Sequence, residues 1–122
     1  MPKAYQDKKE RIGSDSAVTV KLTRIPEGFQ LHAKHFAATI YTSTPGDYTT
    51  AKFIYLGYEQ AGVKFYLEGF DVQSGTDKNT GVVVVKDVII PELADPFAYF
   101  EATATTEKYE VMINGVLEKI EK

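Results

Sequence analysis

The stretch from residue 81 to residue 104 constrains the fold of this 122-residue chain most strongly. It reads GVVVVKDVIIPELADPFAYFEATA, so a valine-rich run leads through a Pro-Glu-Leu-Ala-Asp corner into a second apolar segment. Runs of β-branched and aromatic residues that are separated by turn residues are typical of strands. The stretch therefore predicts two strands joined by a tight corner. It contains no recognisable catalytic motif.

Alternating apolar and polar residues predict further strands. Segments 18–23 and 63–68 have an apolar residue at every second position, which is the pattern of a half-buried strand. Segment 51–58 (AKFIYLGY) is apolar on both faces, so we expect a central strand or one that is covered on both sides. Turn signals recur roughly every eight to twelve residues, a spacing that predicts an all-β sandwich or barrel of about eight strands.

Three local signals predict where these strands are interrupted. The apolar phase slips by one residue within segment 29–40, which requires a β-bulge or a strand break near His35. The sequence Thr-Pro-Gly-Asp at 44–47 predicts a turn. Asn-Gly at 114–115, between apolar segments, predicts a hairpin, with a short helix from Val116 as the alternative.

The N-terminal sixteen residues differ in character from the rest of the chain. They are polar and charged, and Ile12 is their only large aliphatic residue. A segment of this composition cannot nucleate a core. We therefore expect a flexible or docking arm over residues 1–16, followed by a single β-sandwich domain over residues 17–122.

Charge and cysteine content exclude several classes of function. The net charge is −3, with six basic and three acidic residues in residues 1–24 against eight basic and fourteen acidic residues after them. The acidic body argues against nucleic-acid binding by the folded part. The chain has no Cys, so it has neither disulfides nor thiolate metal sites. No apolar run reaches ~18 residues and the start has no secretory pattern, so we expect no membrane span and a cytoplasmic location in the producing cell.

The residue patterns of catalysis are missing from the sequence. His32 and His35 are its two histidines, and in a regular strand they project to opposite faces. With a bulge between them they could converge, with Glu27 or another carboxylate as a third ligand. Nucleophile motifs and phosphate-binding loops do not occur. We therefore expect no enzyme activity, no catalytic residue, no metal ligand and no cofactor.

Candidates for protein contact come from two sources, the basic arm and the supply of eight tyrosines. A basic segment can meet an acidic neighbour, and exposed tyrosines contribute large contact area at small entropic cost. The selected candidates are Lys8, Lys9, Arg11, Tyr41, Tyr48 and Tyr58.

The corner between the two strands of the opening stretch resembles that of the immunoglobulin superfamily. Asp95 follows a Pro-Glu pair and lies four residues before Tyr99, as in the Pro-Glu-Asp…Tyr corner of that superfamily. The resemblance implies an immunoglobulin-like sandwich of about seven to nine strands, in which Tyr99 hydrogen-bonds back to the backbone of the corner. The Cys pair and the core Trp of the superfamily are missing here.

Residues 16–106 also resemble the N-terminal immunoglobulin-like domain of siphophage upper-baseplate proteins. The matching positions are Ile90-Pro91-Glu92-Leu93 and Ala98-Tyr99-Phe100-Glu101, whereas Asp95-Pro96 replaces the usual glycine turn. The resemblance implies a structural virion module without catalytic residues that is anchored by its N-terminal arm.

The sequence therefore favours a non-enzymatic structural or protein-interaction module. Its expected partners are other protein subunits, in a homo-oligomer or in a phage virion (a baseplate or fibre attachment component). Two alternatives stay open: a β-barrel carrier of a small apolar ligand, and a small enzyme.

Overall fold

The computed structural model describes residues 3–13, 16–42, 53–71, 83–101 and 107–120, which form nine β-strands and no helix. The strands are β1 (Lys3–Ile12), β2 (Val18–Lys21), β3 (Phe29–Thr42), β4 (Phe53–Gln60), β5 (Val63–Asp71), β6 (Val83–Val85), β7 (Val88–Ile90), β8 (Asp95–Phe100) and β9 (Glu107–Lys119). Within these residues there is consequently no helix that could span a membrane.

The strands form two antiparallel sheets. The first sheet has the order β1-β9-β3-β6, and β7 also pairs with β3. The second sheet has the order β2-β8-β4-β5. The chain is therefore all-β with the architecture of a β-sandwich, as the alternating patterns predicted.

The interior between the sheets is filled with apolar side chains. Phe36, Phe100 and Tyr109 have no exposed surface, and the rings of Phe100 and Tyr109 lie 4.8 Å apart. Ile54 and Leu56 of β4 enter the same core from the second sheet. The described part of the interior is therefore filled by apolar side chains from both sheets.

The predicted bulge in β3 is confirmed. The register between β3 and β9 shifts between Ala33 and His35. The shift keeps Ala33 and Phe36 on the core side, and neither has any exposed surface. The one-residue slip in the apolar pattern therefore correctly predicted a β-bulge in the backbone.

The hairpin and the terminal helix predicted around Asn114-Gly115 are both wrong. β9 continues through these residues and pairs with β1 on one side and β3 on the other. Gly115 is needed for another reason, because a Cβ atom there would lie 2.1 Å from the backbone oxygen of His32, next to the bulge. Two partner strands thus outweigh the local preference of Asn-Gly for a turn.

Residues 3–12 of the predicted flexible or docking arm are part of the first sheet. They form β1, which pairs along its whole length with β9, from Lys3 opposite Leu117 to Ile12 opposite Lys108. Most of its side chains are exposed. The strand is therefore held mainly by backbone hydrogen bonds, which a search for apolar periodicity does not detect.

Two further predictions concern the second sheet and the β3–β4 connection. β4 lies inside its sheet, between β8 and β5, as its apolar sequence indicated. β5 is a strand as predicted, but its apolar positions Val63 and Phe65, which the pattern assigned to a buried face, are 53% and 43% exposed. β5 is an edge strand in the described sheet, which explains the difference. The turn at 44–47 lies outside the described residues.

Candidate interaction surface

The outer face of the first sheet carries paired charges, together with the exposed apolar side chains of Ile12 and Ile89. Lys8 Nζ lies 3.5 Å from Glu110 Oε2, and Lys108 Nζ lies 3.6 Å from Glu10 Oε2. These four residues form a cross-strand network between β1 and β9. A solvated face of this kind is the ordinary outer surface of a sandwich.

The outer face of the second sheet is aromatic. Side chains alternate along a strand, so burial of Ile54 and Leu56 in the core directs Phe53 and Tyr55 outward. Tyr99 pairs with Tyr55, and both Phe97 and Tyr66 pair with the outward position Gly57. The five residues Phe53, Tyr55, Tyr66, Phe97 and Tyr99 are called the aromatic face below.

The rings of the aromatic face touch one another in a continuous chain. The centroid of Tyr55 lies 6.1 Å from Phe53, 5.5 Å from Tyr66 and 6.2 Å from Tyr99. Tyr66 also meets Phe97 edge-on at 5.8 Å. Each such pair is worth about 0.5–1.5 kcal/mol beyond its buried area, so the rings hold one another in place.

Phe97 is the anchor of this face. It has no exposed surface although it points away from the core between the sheets. Tyr66 covers it from one side, and Lys64 Nζ lies 5.9 Å from its ring centroid. No side chain separates the two rings, because Gly57 occupies the position between them.

Charged side chains border the aromatic face. Lys21 Nζ and Glu59 Oε2 form an ion pair at 3.4 Å, and Lys64 approaches Phe97. Tyr66, on the edge strand β5, is 57% exposed. An aromatic centre with a charged border is the anatomy of many protein–protein interfaces, whose binding energy is concentrated in a few Tyr, Trp and Arg residues.

The basic candidates Lys8, Lys9 and Arg11 all lie on β1 and are exposed. Lys8 belongs to the ion-pair network of the first sheet, and Arg11 donates from Nη1 to the backbone oxygen of Thr19 at 3.2 Å. Lys9 and Arg11 line an open cleft of about 420 Å³ between β1 and β2. Two of the three basic groups therefore have partners within the chain.

The tyrosine candidates are placed differently from the aromatic face. Tyr58 is half-buried against the core and stacks on Phe65 at 5.1 Å. Tyr41 lies in β3, but its side chain is outside the described part of the structure, as is the whole of Tyr48. Because side chains alternate along a strand, an expectation that Ile54 and Leu56 face the core would have assigned Tyr55 to the outer surface from sequence alone.

The corner between β7 and β8 is fixed by hydrogen bonds from neighbouring segments. Asp95 accepts two bonds from the Arg24 guanidinium, at 2.8 and 3.0 Å. These bonds and the charge of Arg24 lower the pKa of Asp95 although burial opposes the shift. Glu92 accepts from the backbone N–H of Gly28 at 2.8 Å, and Ile25 exchanges backbone bonds with the corner.

Tyr99 lies on the outward side of β8, and its closest described ring partner is Tyr55 at 6.2 Å. The described hydrogen bonds to the corner come from Arg24, Gly28, Ile25 and Gln60. A bond from Tyr99 back to the corner stays a prediction.

The bulge in β3 brings His32 and His35 to the same side of the first sheet, opposite Val116 and Asn114. His32 Nε2 lies 3.6 Å from Asp87 Oδ1, which also meets Lys34 at 3.6 Å. Among the residues that the structure describes, no group of three or more His, Asp or Glu side chains is arranged to hold a metal ion.

A scan against protein-family models gives no match for this chain, and no curated protein is similar to it.

Proposed function

We propose that this chain is a non-enzymatic structural module that assembles with other protein subunits through the aromatic face. The observation that carries the proposal is the contrast between the two outer surfaces of the sandwich. One carries paired charges with the single exposed side chains of Ile12 and Ile89 among them, and the other carries a connected group of aromatic rings with Tyr66 57% exposed. Monomeric proteins rarely expose connected apolar patches without an interaction partner.

The physical chemistry of the aromatic face favours a protein as its partner. The rings are already ordered by mutual contact, so little side-chain entropy is lost when a partner covers them. The bordering Lys21–Glu59 pair and Lys64 supply charges of both signs, which favour a partner with a mixed-charge surface.

An immunoglobulin-like classification and a place in a phage virion belong to the same proposal. The corner at residues 90–95 links β7 of the first sheet to β8 of the second, which supports the resemblance to immunoglobulin-like domains. The virion role rests on the sequence resemblance at residues 90–93 and 98–101. A structural subunit needs contact surfaces and no reaction centre, and the aromatic face offers such a contact surface.

Native mass spectrometry of the full chain tests this proposal. We expect assembled species for the unmodified protein at tens of micromolar, and fewer or smaller assembled species for the Tyr55→Ser/Tyr99→Ser double variant. Met112→Ser, on the outer face of the first sheet, is the matched control and should assemble normally. Thermal melts establish that each variant is folded. Assembly that is unchanged in the folded double variant, or a monomeric unmodified protein, would overturn the proposal.

A further inference from the structure

We infer that β5 pairs with β5 of a second copy of this chain, so that two second sheets join into one continuous antiparallel sheet. The inference rests on the proposed function, because it names the partner and the geometry of one assembly contact. It is carried by the open edge of the second sheet at β5, which shares Tyr66 with the aromatic face.

Two other edge strands, β2 and β1, are protected against pairing. The exposed side of β2 is blocked by β1, because Arg11 binds the backbone oxygen of Thr19, and Asp7 accepts the backbone N–H of Thr23 at 2.7 Å. β1 itself is charged along its length, and lysines on an edge strand discourage strand addition.

Lys64 is the one charged residue in the first half of β5, which otherwise lacks such protection. In the described sheet it pairs with β4 on one side only. β6 is the nearest strand of the first sheet on this side, but it is hydrogen-bonded to β3. Val63, Phe65 and Tyr66 are 53%, 43% and 57% exposed, so much of their apolar surface faces solvent. An exposed apolar edge of this kind is a template for another strand.

The β4–β5 hairpin determines which backbone groups are available. Gln60 and Val63 flank the two-residue turn Ala61-Gly62 and form the pair that closes it. Pairs alternate along an antiparallel ladder, so Lys64 and Tyr66 direct their N–H and C=O groups away from β4. A two-fold axis at Phe65 then places Lys64 opposite the partner's Tyr66, with Phe65 opposite the partner's Phe65.

The side chains are self-complementary in this register. The two Phe65 rings meet at the close, non-hydrogen-bonded position, and Val63 faces the partner's Leu67. Each Lys64 lies beside a tyrosine ring and no like charges oppose one another, which favours a second copy over an unrelated strand.

A bulge limits the pairing to one short ladder. The register between β4 and β5 shifts at Leu56/Gly57, which leaves Leu67 as the extra residue of β5. The bend interrupts the second half of the edge. Each copy therefore offers one short pairing segment, and the two-fold arrangement closes as a dimer instead of growing into a fibre.

Single-cysteine crosslinking tests the register, since the natural chain has no Cys. Phe65→Cys places two thiols directly opposite each other, so we expect a disulfide-linked dimer as the main product under mild oxidation. Val63→Cys is the matched control, because Val63 is similarly exposed. In this register its two copies lie about 14 Å apart, four strand residues, and should crosslink at least tenfold more slowly. Equal crosslinking of the two variants, or none in folded Phe65→Cys, would overturn the inference.

A second pair of variants tests the same pairing without introducing a cysteine, so the result does not depend on whether the fold tolerates one. Lys64→Pro deletes an N–H that faces the open edge while sparing the ladder with β4, and should weaken dimerisation at least tenfold by sedimentation equilibrium. Lys64→Ala should dimerise within about twofold of the unmodified chain. If Lys64→Pro dimerises normally while Tyr55→Ser/Tyr99→Ser reduces assembly, β5 pairing is refuted and the proposed function stands. If β5 pairing is intact and the tyrosine variant assembles normally, the aromatic face is refuted instead.

Discussion

Asp7 is the residue for which the structure makes the sharpest pH prediction. Burial alone would raise the pKa of Asp7, but hydrogen bonds from Thr23 Oγ1 and the backbone N–H groups of Thr23 and Lys8 outweigh it and lower the pKa. The unfolded chain then binds more protons at acidic pH than the folded protein. The stabilisation is complete above the unfolded pKa of about 4 and is lost as the pH falls through the folded value.

Asp7→Asn should therefore lower the free energy of unfolding by about 1 kcal/mol at pH 7, the value for a partly solvated charged hydrogen bond. Urea denaturation at pH 7, 5 and 3 should show this difference at the two higher pH values and a smaller one at pH 3. Glu101→Gln, an exposed acid outside β1, controls for the loss of a charge. A difference that is the same at pH 3 and pH 7 would contradict the assignment.

Ala61 carries local backbone strain. It occupies the first position of the two-residue β4–β5 turn with φ of 51°, followed by Gly62 at 81°. Positive φ at both positions defines a type I′ turn, for which Asn-Gly is preferred, whereas alanine is disfavoured in the left-handed region. Ala61→Asn should raise the free energy of unfolding by about 0.5–1 kcal/mol, measured by urea denaturation.

The matched variant for this turn is Ala61→Gly. Glycine relieves the same strain but gives the unfolded chain more freedom, so its gain should be smaller than that of asparagine. If Ala61→Asn is destabilising, the turn does not have the type I′ conformation.

At the scale of elements, the fit between β9 and the bulge of β3 depends on Gly115. A Cβ atom at this position would lie 2.1 Å from the His32 oxygen and 2.9 Å from the Ala33 Cα, so backbone atoms would have to move. Gly115→Ala should cost about 2–3 kcal/mol of unfolding free energy, the usual penalty for overpacking. Asn114→Ala, next to it in β9, should cost under about 1 kcal/mol. Similar losses in the two variants would show that β9 does not approach β3 this closely.

The sequence correctly predicted the strands in which apolar residues alternate with polar ones. The slip in β3 was visible because Ala33 and Phe36 must both face the core. β1 was missed because its strand character comes from backbone pairing with β9 and not from burial. The Asn-Gly signal misled for a related reason, since a local preference cannot report that two other strands pair with the same residues.

The candidate surface could be predicted only in part, because it forms from separate strands. The sequence indicated tyrosines as candidate contact residues, and the alternation of side chains along β4 directs Tyr55 outward. That Tyr55, Tyr66 and Tyr99 meet depends on the pairing of β4 with β5 and β8. Phe97 becomes their buried anchor only because Gly57 lies between it and Tyr66, a relation across three strands that no single segment contains.

At the scale of the whole molecule, salt can determine which outer surface joins the subunits. Association through aromatic rings buries apolar area, which salt does not screen, whereas the Lys8–Glu110 and Lys108–Glu10 network weakens as the Debye length falls to about 3 Å at 1 M. The net charge of −3 on each chain adds a repulsion that salt relieves. Between 50 mM and 1 M NaCl, sedimentation equilibrium should therefore give a dissociation constant that is unchanged or lower. Lys108→Ala should follow the same curve, since it alters the polar face alone. A dissociation constant that rises more than tenfold with salt would show that attraction between charges holds the subunits together, and an altered curve for Lys108→Ala would then assign the contact to the first sheet.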